Sequence, residues 1–247
     1  MKIGIMQPYF FPYLGHFALI DAVDKWVVFD VTQYSPKSWM NRNRILHPKS
    51  GWNYVTLPLE KSSISLSSCD VYVRDIDKVK ATILGKISHY KKQAPFYWQV
   101  VDIITRTFEN ATSSKLVDIN VSSLKETCDY LGVTFDWDIC SELGLSFPQN
   151  MGPGDWAPYI SEQLKATVYI NPSNGIPLFD THDFTQKHIE LHAMSFSSFE
   201  YETGSMDFEK NLSILDVMMW NSPSTIRQKM KELSLITRIP CSSSSSV

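Results

Sequence analysis

The first third of the chain changes hydrophobic period three times. Lys2–Met6 (KIGIM) is a short apolar run, and Gly15–Val23 (GHFALIDAV) carries apolar residues at 17, 19, 20 and 23, the spacing of one helix face. WVVFDVTQY, 26–34, is rich in β-branched and aromatic residues. Strand, loop, helix, strand is a βαβ unit, which predicts a parallel sheet with a right-handed crossover. Trp52–Leu59 predicts another strand, Val71–Val73 a short one, and the intervening 33–45 a loop. From Ile76 the pattern turns helical: 76–92 with Val79, Ile83, Ile87 and Tyr90 on one face, then 96–109, then 114–131 ended by Gly132. A β-leaning TFDWDI follows, then a loop at 150–156, a helix at 157–166 capped by Asp155, a strand at 167–171, a turn-rich NPSNGIPLFD, an apolar 212–220 and a last helix at 224–234. The expected organisation is one α/β domain over 1–240. It comprises a βαβ half (1–75), a helical insertion (76–132) and a mixed remainder (133–240), with Cys241 and the serines after it (241–247) as a disordered tail.

The loop between the first strand and the first helix, MQPYFFPYLGHF, is chemically unusual. Pro8 and Pro12 cannot donate ladder hydrogen bonds, so the strand should stop near Gln7. Gly15 permits close backbone approach, and His16 stands at a helix start where N–H groups and the dipole favour an anion. Such a loop in an α/β protein is a place to hold a ligand.

A second stretch, QYSPKSWMNRNRI (33–45), gathers Lys37, Arg42 and Arg44 around Trp39, Asn41 and Asn43. Arginine and lysine suit phosphate or carboxylate, and asparagine offers donors and an acceptor. On an extended chain Arg42 and Arg44 face one way, Asn41 and Asn43 the other. Net charge is −3, so a local basic loop fits a small anionic substrate better than duplex nucleic acid or an anionic membrane. The apolar runs fall short of a membrane span, and KIGIMQP lacks the features of a signal peptide, so a cytoplasmic protein is expected. Cysteines at 69, 128, 140 and 241 form no CxxC pair, which argues for reduced, inert thiols.

Asp180, His182, Asp183, His188 and His192 cluster in sequence, with His188 and His192 four apart as on one helix face. Without a defined ligand pattern they read as surface residues, and no metal site is expected. Ser173, Asn174 and Gly175 stand at a strand end, where they can line a pocket, and GPGDW is a weak phosphate loop. GxSxG, Walker A and GxGxxG motifs are absent from the sequence.

IMQPYFFPYLGHF, WVVFDVTQY, KSWMNRNRI and YVTLPL together resemble the WbqC-like protein family, with weaker matches at HYKKQAPFY, LGVTF, VYINPSNGIPLFD and NLSILDVMMWNSP. That resemblance implies a place in bacterial surface-polysaccharide (O-antigen) synthesis. More distantly, the strand, proline-aromatic loop and Gly15-His16 are similar to the HIGH-type loop of nucleotidylyltransferases such as pantothenate synthetase. Here Tyr13 precedes His16 where that motif has its first histidine, and a KMSKS-like loop is not evident. This second resemblance implies a Rossmann-like parallel sheet with Gln7, Pro8, Tyr9, Tyr13, Gly15 and His16 around ATP, accompanied by Mg2+.

The resulting expectation is an enzyme that uses ATP to adenylate a small carboxylate and pass it to a nucleotide-linked amino sugar. His16, Lys37 and Arg42 would stabilise the reacting phosphates, and Trp39, Asn41, Asn43, Arg44, Asn171, Asn174 and Asp180 would hold substrate. Partners are small molecules, and exposed aromatics allow a homodimer. Two alternatives stand beside it: an ATP-independent glycosyl- or acyltransferase, and a non-catalytic module that stacks sugar on Trp39, Tyr9 or Phe11.

Overall fold

The computed structural model describes residues 1–60 and 66–241. The expected disordered tail falls, apart from Cys241, outside the described residues. In chain order the elements are β1 (Lys2–Met6), α1 (Leu14–Asp21), β2 (Lys25–Val28), β3 (Arg42–Leu46), β4 (Trp52–Thr56), α2 (Ile76–Ile87), α3 (Tyr97–Glu109), α4 (Leu116–Leu131), β5 (Trp137–Ile139), α5 (Trp156–Gln163), β6 (Val168–Pro172), α6 (Thr181–Gln186), β7 (Glu190–Phe196), α7 (Ile214–Trp220), α8 (Pro223–Leu233) and β8 (Ser234–Arg238).

Six strands form one sheet in the order β5-β2-β1-β6-β7-β8. Every pairing is parallel except β7 with β8. This is the expected α/β, Rossmann-like architecture. Both sheet faces are buried, as a parallel sheet requires. Ile3, Ile5, Val27, Tyr169 and Leu191 face one apolar cluster with α5 and α6. Trp26, Val28, Ile170 and Met194 face a larger cluster that includes α1, the 76–131 helices and α7. Gly4 is small because the Trp26 ring lies across it: a Cβ there would stand 3.1 Å from the indole.

The chain starts at β1, winds out to β2 and β5, then crosses back to β6 on the other side of β1. The order therefore reverses between β1 and β6, and ligands in open α/β sheets bind beyond the strand ends at such a reversal.

Several expectations need correction. The second strand stops at Val28 instead of Tyr34, because Asp30 leaves the ladder and its carboxylate accepts from the Ser141 backbone N–H (2.9 Å) and hydroxyl (2.6 Å). The basic stretch 33–45 is not all loop, since Arg42–Leu46 is a strand paired antiparallel with β4 in a separate hairpin. Val71–Val73 makes only isolated bridges. His188 and His192 do not share a helix face: His188 sits in a turn at φ 56°, and His192 lies in β7 with Nε2 3.0 Å from Glu190. Among the described residues, no three His, Cys, Asp or Glu side chains come together as a metal site. Asp155 occupies the start of α5 but its Oδ2 accepts from Gly152 N (2.7 Å) rather than from the helix. Gly154 serves close approach, as a Cβ there would lie 2.5 Å from the Leu178 carbonyl oxygen.

Candidate functional site

The β1–α1 loop is ordered by side chains from distant parts of the chain. Its prolines and turns leave carbonyls that no strand can satisfy, and buried carbonyls need partners. Asn43 Nδ2 donates to the Phe10 (3.1 Å) and Phe11 (2.9 Å) carbonyls, and Asn43 Oδ1 accepts from Arg44 N (2.8 Å). Ser213 Oγ donates to the Phe11 carbonyl (2.7 Å), and Ile214 N to that of Pro12 (2.8 Å). Asn120 Nδ2 joins two loops, donating to the carbonyls of Pro8 (2.7 Å) and Met40 (2.8 Å). Phe11 is held at φ 39°, a costly conformation for a bulky residue, and it survives because so many partners fix its neighbours. Phe11 is also fully buried, which removes it as a sugar-stacking surface.

Beyond the carboxyl ends of β1, β6 and β7 lies a cavity of about 470 Å³. Tyr9, Tyr13, Gly15 and His16 line it from the β1–α1 loop, Trp39, Asn43 and Arg44 from the hairpin side, and Ser173 and Asn174 from the end of β6. Most of one wall is therefore the opening loop, at the reversal of the sheet. Besides Asn43, the structure brings together eight residues singled out from sequence: Tyr9, Tyr13, Gly15, His16, Trp39, Arg44, Ser173 and Asn174.

The others lie elsewhere. Lys37 is exposed on a turn at φ 60°. Arg42 opens β3, two residues before Arg44, and lies over the Tyr54 ring at 4.2 Å. Asn41 Nδ2 donates to the Leu57 carbonyl (3.2 Å). Gln7 is half-buried and Pro8 is tied to Asn120. Asn171 is buried, accepts from the Tyr169 hydroxyl (2.8 Å), and its amide packs on Gly175, where a Cβ would come within 2.3 Å. Asp180 caps α6 by accepting from His182 N (2.8 Å). Asn43 reaches the cavity, but its amide is committed to the loop, so it positions the wall rather than meeting ligand through that group. Met194 and Phe196 complete the lining from β7, a strand whose ELHAMSF sequence gave no clean alternation.

Arg44 is the cation of this cavity. Its guanidinium lies over Trp39 (5.5 Å) and Trp52 (5.2 Å), and Nη2 donates to the Asn211 carbonyl (3.3 Å). Among the described residues no carboxylate lies within ion-pair distance of it, and its Nε has no hydrogen-bond partner. A guanidinium held by rings keeps its full charge for an anion. Tyr9 and Tyr13 have their phenol pKa raised by burial, so both are neutral donors.

His16, expected to stabilise the reacting phosphates, is an uncharged group on the cavity wall. It is buried, edge-on to Trp26 (5.0 Å), with no partner for Nε2, and burial lowers its pKa to about 3. At neutral pH it is an uncharged imidazole, able to give or take one hydrogen bond. The unfolded chain binds the proton from pH ~6.5 downward while the folded chain refuses it until about 3. Between those values the unfolded state holds more protons, so stability falls as pH falls, by at most about 1.4 kcal/mol per unit. Chemical denaturation from pH 7 to 4 should show this slope in the wild type, and His16→Gln should flatten it by about that amount per unit.

Gly15 is required by Tyr13, because a Cβ at 15 would stand 2.4 Å from that ring. In Gly15→Ala the ring must swing away from its place in the wall. Alanine favours the helix by about 1 kcal/mol, against roughly 1–3 kcal/mol of crowding. The expected result is a small loss in melting temperature with a clear loss of ligand affinity, read by thermal melting and calorimetry side by side.

No solved structure matches the chain. A Mycobacterium tuberculosis protein named as the uncharacterized protein Rv1507c is 24% identical over 221 residues, covering 88% of this chain and 92% of its own length. The family described as the WbqC-like protein family matches residues 7–228, from the β1–α1 loop into α8, and thus spans the cavity lining apart from Met6. The chain belongs to the WbqC-like protein family.

Proposed function

We propose that this protein is an enzyme that binds a nucleotide in the switch-point cavity and uses ATP to join a small carboxylate to a nucleotide-linked amino sugar. The observation that carries this reading is an arginine without a carboxylate partner among the described residues, Arg44, facing a cavity walled in part by Tyr9, Tyr13, Trp39 and Phe196 at the sheet's reversal. Aromatic walls suit a base or sugar ring, and the guanidinium suits phosphate. In the reaction a carboxylate oxygen attacks the α-phosphorus of ATP and pyrophosphate leaves. The sugar amine then attacks the acyl carbon, AMP leaves, and the amine loses a proton. Arg44 would offset charge on the phosphates, and neutral His16 would add one hydrogen bond without adding charge. Mg2+ enters only as companion of the triphosphate. The place we assign it is cytoplasmic surface-polysaccharide (O-antigen) synthesis, in keeping with the family. A homodimer belongs to the same reading, with exposed Leu235 and Ile236 on the edge strand β8 as its support. No helix among the described residues is long and apolar enough to cross a membrane.

One observation favours a second reading. Lys37 and Arg42 do not line the cavity, which leaves one cation among the described lining residues where a triphosphate would use several. That suits a diphosphate, and so a transferase acting on a nucleotide-sugar or acyl-thioester donor without ATP. Incubation with ATP, Mg2+, a panel of amino acids and UDP-linked amino sugars separates the two. The first reading predicts AMP and pyrophosphate formed mole for mole with amide. Product without AMP supports the second, and neither product nor AMP contradicts both.

A further inference from the structure

The outer face of the β3–β4 hairpin carries an aromatic–arginine stripe that continues from the cavity. Cross-strand register places Arg44 opposite Tyr54 and Arg42 opposite Thr56, so both arginines share a face with Tyr54, and Trp52 stands two residues along on the same strand. Arg42 lies over Tyr54 at 4.2 Å and Arg44 over Trp52 at 5.2 Å, while Trp52 and Tyr54 meet edge to face at 4.8 Å. Trp52 is 39% and Trp39 41% exposed, high values for tryptophan. Neither arginine has a carboxylate within ion-pair distance among the described residues, and the Nε of each lacks a hydrogen-bond partner. Ring contact fixes each guanidinium, and among the described residues Arg44 commits one N–H of its fork, Nη2 to the Asn211 carbonyl, leaving the rest for a ligand. Residues 42 and 44 sit about 7 Å apart along the strand, so the two forks can follow an elongated anion out of the cavity mouth.

We propose that this stripe is a second subsite that binds an anionic saccharide, its phosphate or carboxylate on Arg42 and Arg44 and its sugar ring on the exposed indoles. The proposal deepens the amino-sugar reading by giving that substrate a place outside the cavity, and it stands without ATP use. Sugar rings present apolar C–H faces that pack on indole, and the flanking arginines select the charged sugars among them. Arg42, outside the cavity lining, thereby gains a role in substrate choice.

Calorimetry with UDP-N-acetylglucosamine, glucose 1-phosphate and glucuronate, and with neutral N-acetylglucosamine as control, tests the subsite. At least one charged probe should bind, and the neutral sugar should bind at least tenfold more weakly. Arg42→Gln and Trp52→Ala should each weaken the charged probe tenfold or more. Arg42→Lys, which keeps charge but not the fork, should fall between. Both side chains are on the hairpin surface, and an unchanged melting temperature verifies the fold. Binding by none of the three charged probes, or binding unchanged within twofold in both variants, overturns the proposal. Failure of ATP to bind would instead remove the ligase reading and leave the stripe standing.

Discussion

Asn120→Ala should lower the unfolding free energy by about 2–5 kcal/mol, the larger of the stability losses foreseen for a single truncation near the site. The side chain is fully buried, and its amide donates to the carbonyls of Pro8 and Met40. Truncation orphans two buried acceptors, each costing roughly 1–3 kcal/mol, in a place too closed for water to replace the amide readily. Asn120→Asp should do no better, because a carboxylate keeps the shape, loses both donors and sets a charge against two carbonyl oxygens. Urea titration followed by circular dichroism reads both. The effect also reaches function, since Pro8 and Met40 belong to the two segments whose side chains face each other across the cavity. A loss under about 0.5 kcal/mol would mean that these loops are held by other contacts.

Arg44→Ala should cost about 1.5–3 kcal/mol of affinity for an anionic nucleotide, or roughly 10–150-fold in Kd, with stability changed far less. The guanidinium has no carboxylate to leave unpaired and is held by Trp39, Trp52 and one carbonyl hydrogen bond. Its removal therefore exposes no buried opposite charge, unlike the breaking of a buried ion pair. Arg44→Lys should recover part of the affinity, because a point charge reaches phosphate but does not reproduce the fork or the ring contacts. Binding should weaken with salt in the wild type and lose part of that dependence in Arg44→Ala.

The start of the sheet and the helical middle were legible from pattern alone, for physical reasons. β1 ends where proline ends it, α1 and the helices of 76–131 carry helical spacing, and Gly132 adopts the left-handed conformation (φ 66°) that closes α4. The hairpin strand Arg42–Leu46 was not legible as a strand, because its inward positions begin with Asn43, a polar residue buried to hold a loop. The predicted facing of Arg42 and Arg44 held, though, since alternation follows from any extended chain. β7 was hidden by the i,i+4 histidines that looked helical, and so Met194 and Phe196 were missed from the cavity. Asn120 and Ser213 were invisible for another reason. Asn120 lies in a helical pattern and Ser213 just before a helix, where polar residues are expected to face water or cap, and the carbonyls they bond lie 112 and 202 residues away in the chain. Asp180, by contrast, was read for its chemistry when its work is a helix cap.

His16 shows how burial changes a residue's chemistry without changing its place. The Gly15-His16 pair does sit on the cavity wall at the end of the opening loop, but the apolar surround keeps the imidazole neutral. Charge in the cavity falls to Arg44, and the loop's aromatic content divides into lining (Tyr9, Tyr13) and core (Phe10, Phe11, Phe17).

The proposed chemistry requires a nucleotide in the cavity between the β1–α1 loop and the hairpin. Photolabelling of the full chain with 8-azido-ATP, with and without excess ATP, followed by peptide mapping, locates the nucleotide directly. The account predicts ATP-competed label within residues 6–19 or 39–44, lost in Arg44→Ala. Label that maps elsewhere, or that excess ATP fails to displace, would contradict it.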